Sequence, residues 1–117
     1  MDKVILAGVN LNNDPDFERS MEELESLAEA CDMEVAARAV QNLSAPNNAL
    51  YIGSGKAEEI KNLVSMVGAQ YVVFDNALSP SQQRNLQKEM EVSVLDRTNL
   101  ILEIFDRRAQ TKEARLQ

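Results

Sequence analysis

The 117-residue sequence predicts an α/β protein with three layers, a mostly parallel β-sheet carrying helices on both faces. Two continuous apolar runs, Lys3-Val4-Ile5-Leu6-Ala7-Gly8-Val9 and Gln70-Tyr71-Val72-Val73-Phe74-Asp75, have the pattern of parallel strands covered on both sides. The segments between such runs repeat their apolar residues at helical spacing. Each run also ends in polar residues, as strands do where they open onto a ligand-binding sheet edge.

Val4 to Ala7 form the first strand, and Asn10 to Asn13 a loop. Asp14-Pro15 supplies an N-cap with proline at the first helical position. The helix that follows places Phe17, Met21, Leu24, Leu27, Ala28 and Cys31 on one stripe, with Glu18, Glu22, Glu25 and Glu29 opposite. Val35 to Val40 read as a second strand, whose alanines predict a helix packed closely over it. The loop Asn42 to Ala49, rich in turn formers around Pro46, leads through a short strand-like step, Leu50-Tyr51-Ile52, to a glycine turn. Ala57, Ile60, Leu63, Val64 and Val67 form a second amphipathic helix closed by Gly68.

Val72 to Phe74 form the third strand. Ser79-Pro80-Ser81-Gln82 is a capping box that starts a third helix with Leu86 and Met90 inward. Val92 to Leu95 form a fourth strand. Thr98 is then read as the cap of a last helix with Leu100, Ile101, Ile104 and Phe105 on its apolar face. The expected core is Phe17, Leu24, Leu27, Ile60, Leu63, Val64, Val73, Leu86, Ile101 and Phe105.

Composition narrows the chemistry. With 44% hydrophobic and 26% charged residues, the chain has the balance of a globular domain rather than a disordered one. Its apolar runs are too short to span a membrane and it begins with no signal-peptide pattern, so the expected compartment is the cytoplasm. Cys31 is the single cysteine, which excludes an internal disulfide, and its place on an apolar stripe reads as core. Without histidine, neither a Ser-His triad nor a zinc site is expected. The net charge of −7 is uneven. Residues 1–34 hold ten acids against two bases, whereas the remainder holds nine against ten. Bulk electrostatics therefore oppose nucleic-acid binding but leave a local contact open, and no DNA partner is expected.

The glycine turn, Gly53-Ser54-Gly55-Lys56, joins an apolar step to a helix start. Helix-end N–H groups and a lysine there make an anion site. It is not a Walker A loop: the first glycine of that motif would fall on Leu50, and Ala57 stands where a magnesium-binding serine or threonine belongs. Two readings stay open. One is a structural turn, capped by Ser54 or Gly55, with a solvated lysine. The other is contact with a phosphate of a nucleotide or RNA. Asp75-Asn76 and Asp96-Arg97 end strands on the same expected edge, along with Gly8-Val9-Asn10. Asp75 and Asn76 join Gly53 to Lys56 as candidate phosphate or nucleotide contacts. A receiver-like signalling domain is disfavoured, because Ala7-Gly8-Val9-Asn10 stands where that fold has an acidic pair.

Three long segments, Y-I-G-S-G-K-A-E-E-I, V-V-F-D-N-A-L-S-P-S-Q-Q-R-N-L and V-L-D-R-T-N-L-I-L-E-I-F-D-R-R-A-Q-T-K-E-A-R-L-Q, occur in this order. In them the chain resembles, over essentially its whole length, the start of HflX-type GTPases. The resemblance implies an N-terminal α/β domain over 1–108. Residues 109–117 would then open a helical linker or hairpin that the sequence truncates, as the uncapped polar helix pattern there also suggests. It further implies a regulatory, ribosome- and RNA-binding module that acts on the large ribosomal subunit in ribosome splitting or rescue. Its partners would be ribosomal RNA and its own GTPase domain. GTP and Mg2+ belong to that domain, which is absent here, so this chain is expected to have no GTPase activity of its own. The resemblance also attributes RNA remodelling and some ATP binding to this domain. The alternative is a nucleotide (ATP)-binding α/β enzyme domain that uses Gly53 to Lys56. Arg97, Arg107, Arg108, Lys112 and Arg115 are the candidate RNA contacts. Arg108, Lys112 and Arg115 fall at helical spacing on one face.

Overall fold

A computed structural model describes residues 2–116, with side chains described for 2–106. Its four strands, β1 (Asp2–Leu11), β2 (Met33–Leu43), β3 (Tyr71–Phe74) and β4 (Ser93–Asp96), form one all-parallel sheet in the order β2-β1-β3-β4. Helix α1 (Phe17–Ala30) packs on one face with α4 (Arg97–Leu116), while α2 (Ser54–Val67) and α3 (Pro80–Met90) cover the other. The helix α4 is continuous across the domain boundary expected at residue 108.

β1 is buried on both sides because it is central, and its residues alternate between the two layers. Val4 and Leu6 meet Phe17, Met21, Leu24 and Ala28 of α1 and Leu100 of α4. Ile5, Ala7 and Val9 meet Ala57 and Ile60 of α2, and Leu86 and Met90 of α3. Gly8 permits the close approach of α1: a methyl group there would lie 2.7 Å from Met21 Sδ and 2.9 Å from Phe17 Cζ. On β2 the register slips between Val35 and Ala37, leaving Ala36 as a bulge. That bulge turns Val35 and Ala37 toward opposite layers.

Several local expectations give way to other contacts. Leu50-Tyr51-Ile52 is not a strand. Tyr51 instead pairs antiparallel with Asn47 in a tight loop, taking φ +70°. That loop is held by Gln82 Nε2, which donates to the Asn47 and Asn48 carbonyls, and by Asn85 Nδ2, which donates to that of Ala49. Helix α1 starts at Phe17, not at Pro15. Asp14 closes the turn before it, accepting from Asp16 N through Oδ1 and from Phe17 N through its carbonyl. Asp96, not Thr98, caps α4: its Oδ1 accepts from Asn99 N, and Asn99 Oδ1 accepts from Asp96 N. The Ser79–Gln82 capping box and the left-handed Gly68 cap are as expected.

The predicted core holds for Phe17, Leu24, Ile60, Val73 and Leu86, all buried, with Leu27, Leu63 and Val64 packed partly buried against them. Ile101 and Phe105 are exceptions, at 39% and 67% exposed. Leu100 and Ile104 take the inward stripe of α4. Ile101 and Phe105 line a shallow apolar groove of about 280 Å³ with Leu27, Ala30 and Ile104.

Candidate functional site

The chain leaves β1 toward β2 on one side, then crosses to β3 on the other. The carboxyl ends of β1 and β3 are therefore the topological switch point, where such sheets place ligands. β1 runs past the end of β3, whose last pairing is Ala7 with Phe74. Asn76 fills the space beyond. Its Oδ1 accepts from Val9 N at 2.8 Å and its Nδ2 donates to Val9 O at 3.2 Å, so one side-chain amide extends the sheet ladder.

The glycine turn reaches the same edge from the β2 side. Val9 pairs with Gln41, and Gln41 Oε1 accepts from Gly53 N at 2.9 Å. Gly53, Gln41, Val9 and Asn76 thus form one continuous line across the edge. Gly53 occupies the N-cap position of α2 in an extended conformation, φ −70°. Neither Ser54 nor Gly55 caps the helix, and no side chain among the described residues does so. Neither glycine uses a positive φ, which falls instead on Tyr51. A side chain at Gly53 would crowd Gln41, whereas one at Gly55 would meet open space.

Lys56 is not simply solvated. Its Nζ lies 2.6 Å from Glu59 Oε2 and its side chain is 21% exposed. With Arg38, Ala39, Glu59, Asn62, Leu63 and Met66 it lines a groove of about 340 Å³ between β2 and α2. Hydrogen bonds to Glu25 and then Glu18 hold the Arg38 guanidinium above its usual range, so this second cation of the groove is also neutralised.

Asp75 and Arg97 come together on the α1 side of the edge. The Asp75 side chain is 8% exposed. Its Oδ2 accepts from Ser20 Oγ at 2.7 Å, and its Oδ1 lies 3.4 Å from Arg97 Nε. Arg97 Nη2 donates to Ser20 O at 2.8 Å and approaches Glu23 Oε2 at 3.4 Å. Asp96 is occupied as the α4 cap, with Oδ2 accepting from Leu78 N. Both strand-end carboxylates thus serve the fold's own polar groups. The side chains of Arg107, Arg108, Lys112 and Arg115 lie outside the described residues.

Ser20, Glu23 and Gln41 are the contacts that sequence reasoning missed. Each reads locally as an ordinary exposed or strand polar residue. Only the register of β1 with β2, and the packing of α1 on the sheet, bring them to this edge.

A family model described as "GTP-binding GTPase N-terminal" matches residues 18–106. The "GTPase HflX" of Escherichia coli K12 is 40% identical over 116 residues, covering 99% of this chain and 27% of that protein. The "GTPase HflX" of Alkalihalophilus pseudofirmus is 40% identical over 118 residues, covering 100% and 28% respectively. Among solved structures, the SsGBP and GDP complex superposes with a TM-score of 0.68 at 27% identity, covering 91% of this chain and 29% of that one. A GTP-binding protein from Sulfolobus solfataricus in complex with GDP gives a TM-score of 0.66 at 27% identity, covering 90% and 30%. The chain therefore spans less than a third of these relatives.

Proposed function

Because the chain belongs to the HflX family as an N-terminal domain, we propose that it is a regulatory and ribosome-binding module acting on the large ribosomal subunit, in ribosome splitting or rescue. One observation carries this reading: nearly the whole chain aligns with only about a quarter of a GTPase. It is thus the size of a module beside a catalytic domain. GTP and Mg2+ belong with the GTPase portion of full-length family members. Residues 1–108 act as the domain proper, residues 109–117 begin the helical connection onward, and the setting is the cytoplasm.

The RNA contact we assign to the glycine turn, with Arg97, Arg107, Arg108, Lys112 and Arg115 as further candidate contacts. The uncapped N–H groups at the start of α2 and the ammonium of Lys56 suit a backbone phosphate. The pairing of Lys56 with Glu59 does not oppose this. Glu59 is 63% exposed, so its carboxylate can turn into solvent and leave the Lys56 ammonium to a phosphate. The ATP-binding alternative finds less support, because Asn76 is committed to Val9 at the switch point and Asp75 to Ser20 and Arg97.

Lys56→Ala tests the contact. It should weaken association with isolated large subunits similarly for different RNA sequences and lower the salt slope by roughly one unit. Neither GTP nor ATP should turn over with Mg2+. Unchanged affinity and slope would leave the turn as architecture. Magnesium-dependent turnover lost in Lys56→Ala would instead establish the nucleotide enzyme.

A further inference from the structure

We infer that Arg97 is a positioning residue, a clamp that fixes the direction in which α4 leaves the sheet and ties that direction to α1 and to the end of β3. Three elements meet on its guanidinium. Ser20 O and Glu23 belong to α1, and Asp75 follows β3 directly. Arg97 is itself the first residue of α4.

Among the described residues, three contacts hold the root of α4. Asp96 caps its first turn and binds Leu78 N, Leu100 is 1% exposed, and Ile104 packs against the α1 layer. On the other side of the helix Ile101, Leu102 and Phe105 already face outward. A 20-residue helix is about 30 Å long, so a tilt of about 10° at its root displaces the far end by about 5 Å. Small changes in the clamp are therefore magnified along α4.

The ion pair at the centre of the clamp is loosely matched. Asp75 Oδ1 and Arg97 Nε are both buried, face each other at 3.4 Å, and make no hydrogen bond. The electrostatic attraction is present while the directional bond is not, so the pair admits adjustment without rupture. The other Asp75 oxygen is fixed by Ser20 Oγ, so a movement of α1 against the sheet edge reaches Arg97 by two routes. The clamp thus links the edge that carries Asn76 and the glycine turn to α4. Its use in orienting the rest of a longer protein rests on the function proposed above; its existence does not.

The test needs no ribosome. Spin labels at Glu22→Cys on α1 and Thr111→Cys on α4, in a Cys31→Ala background, report the distance between the two helices. The parent protein should give one narrow distance distribution. Arg97→Ala should broaden it or shift it by several ångströms, and Arg97→Lys should restore it only in part, since one ammonium cannot reach all three partners. Leu86→Ala, in the opposite layer, should lower the Tm without changing the distances. An unchanged distribution in Arg97→Ala would overturn the clamp, as would equal broadening in Leu86→Ala, because either result makes Arg97 an ordinary stabilising residue.

Discussion

Lys56 and Glu59 pair at 2.6 Å one turn apart on α2, so the cation of the glycine turn is already neutralised before any partner arrives. Glu59→Gln removes that competition while keeping the side chain's size. It should strengthen binding to large subunits by a factor of about 2 to 5 at low salt, with the gain fading as salt screens the exposed charges. Affinities measured over a salt series check this, and a loss of binding would mean that Glu59 itself touches the partner.

Asn76→Ala should destabilise the fold by about 1–3 kcal/mol, since it strands the N–H and carbonyl of Val9 at a nearly closed edge. Asn76→Asp should cost at least as much, because it replaces the donor to Val9 O with a second acceptor. Urea unfolding measures both, and a loss below about 0.5 kcal/mol in each would show that water substitutes freely for the amide.

Gly8→Ala should cost about 1–3 kcal/mol through overpacking against Met21 and Phe17. The second-site change Met21→Ala should relieve part of that cost, since Met21 Sδ is the nearest obstacle. Additive losses in the double variant would show that the backbone, not the side-chain contact, sets the penalty.

Leu24→Ala and Phe105→Ala contrast the buried face of α1 with the outward face of α4. Leu24 is fully buried, and truncating it should cost about 2–5 kcal/mol. Phe105 is 67% exposed and should cost less than about 1 kcal/mol in this chain. Equal losses in chemical denaturation would contradict the exposure of the Phe105 side of α4.

The contrast shows what sequence periodicity carries. The strands, their alternation with helices and the stripes of α1 and α2 were legible because each stripe is wide and bounded by charges, and α3 was legible because Leu86 and Met90 stand alone among polar residues. On α4 the apolar residues Leu100, Ile101, Leu102, Ile104 and Phe105 cover more than one face. Periodicity alone then could not say that Leu100 and Ile104 point inward while Ile101 and Phe105 do not. Helix starts were legible at Ser79, where the box is reciprocal. They were misread at Asp14, where the aspartate and proline close a preceding turn instead.

The edge itself was legible as a place but not as a set of contacts. Asp75, Asn76, Arg97 and the glycine turn were expected together because parallel strands end there, and all four reach that edge. Their partners were hidden, since Gln41, Ser20 and Glu23 arrive through register and helix packing rather than through any local motif. Charge pairing was hidden for the same reason: nothing in the order of residues says that Arg38 on β2 meets Glu18 and Glu25 on α1.

Recognition of the large ribosomal subunit by this domain alone is what the proposed function requires. Sedimentation of the purified chain with isolated large subunits, and separately with small subunits, tests it most directly when repeated at several salt concentrations. Saturable association with large subunits that weakens as salt rises is expected, with markedly less binding to small subunits. Equal association with both, or none with large subunits at low salt, would contradict it.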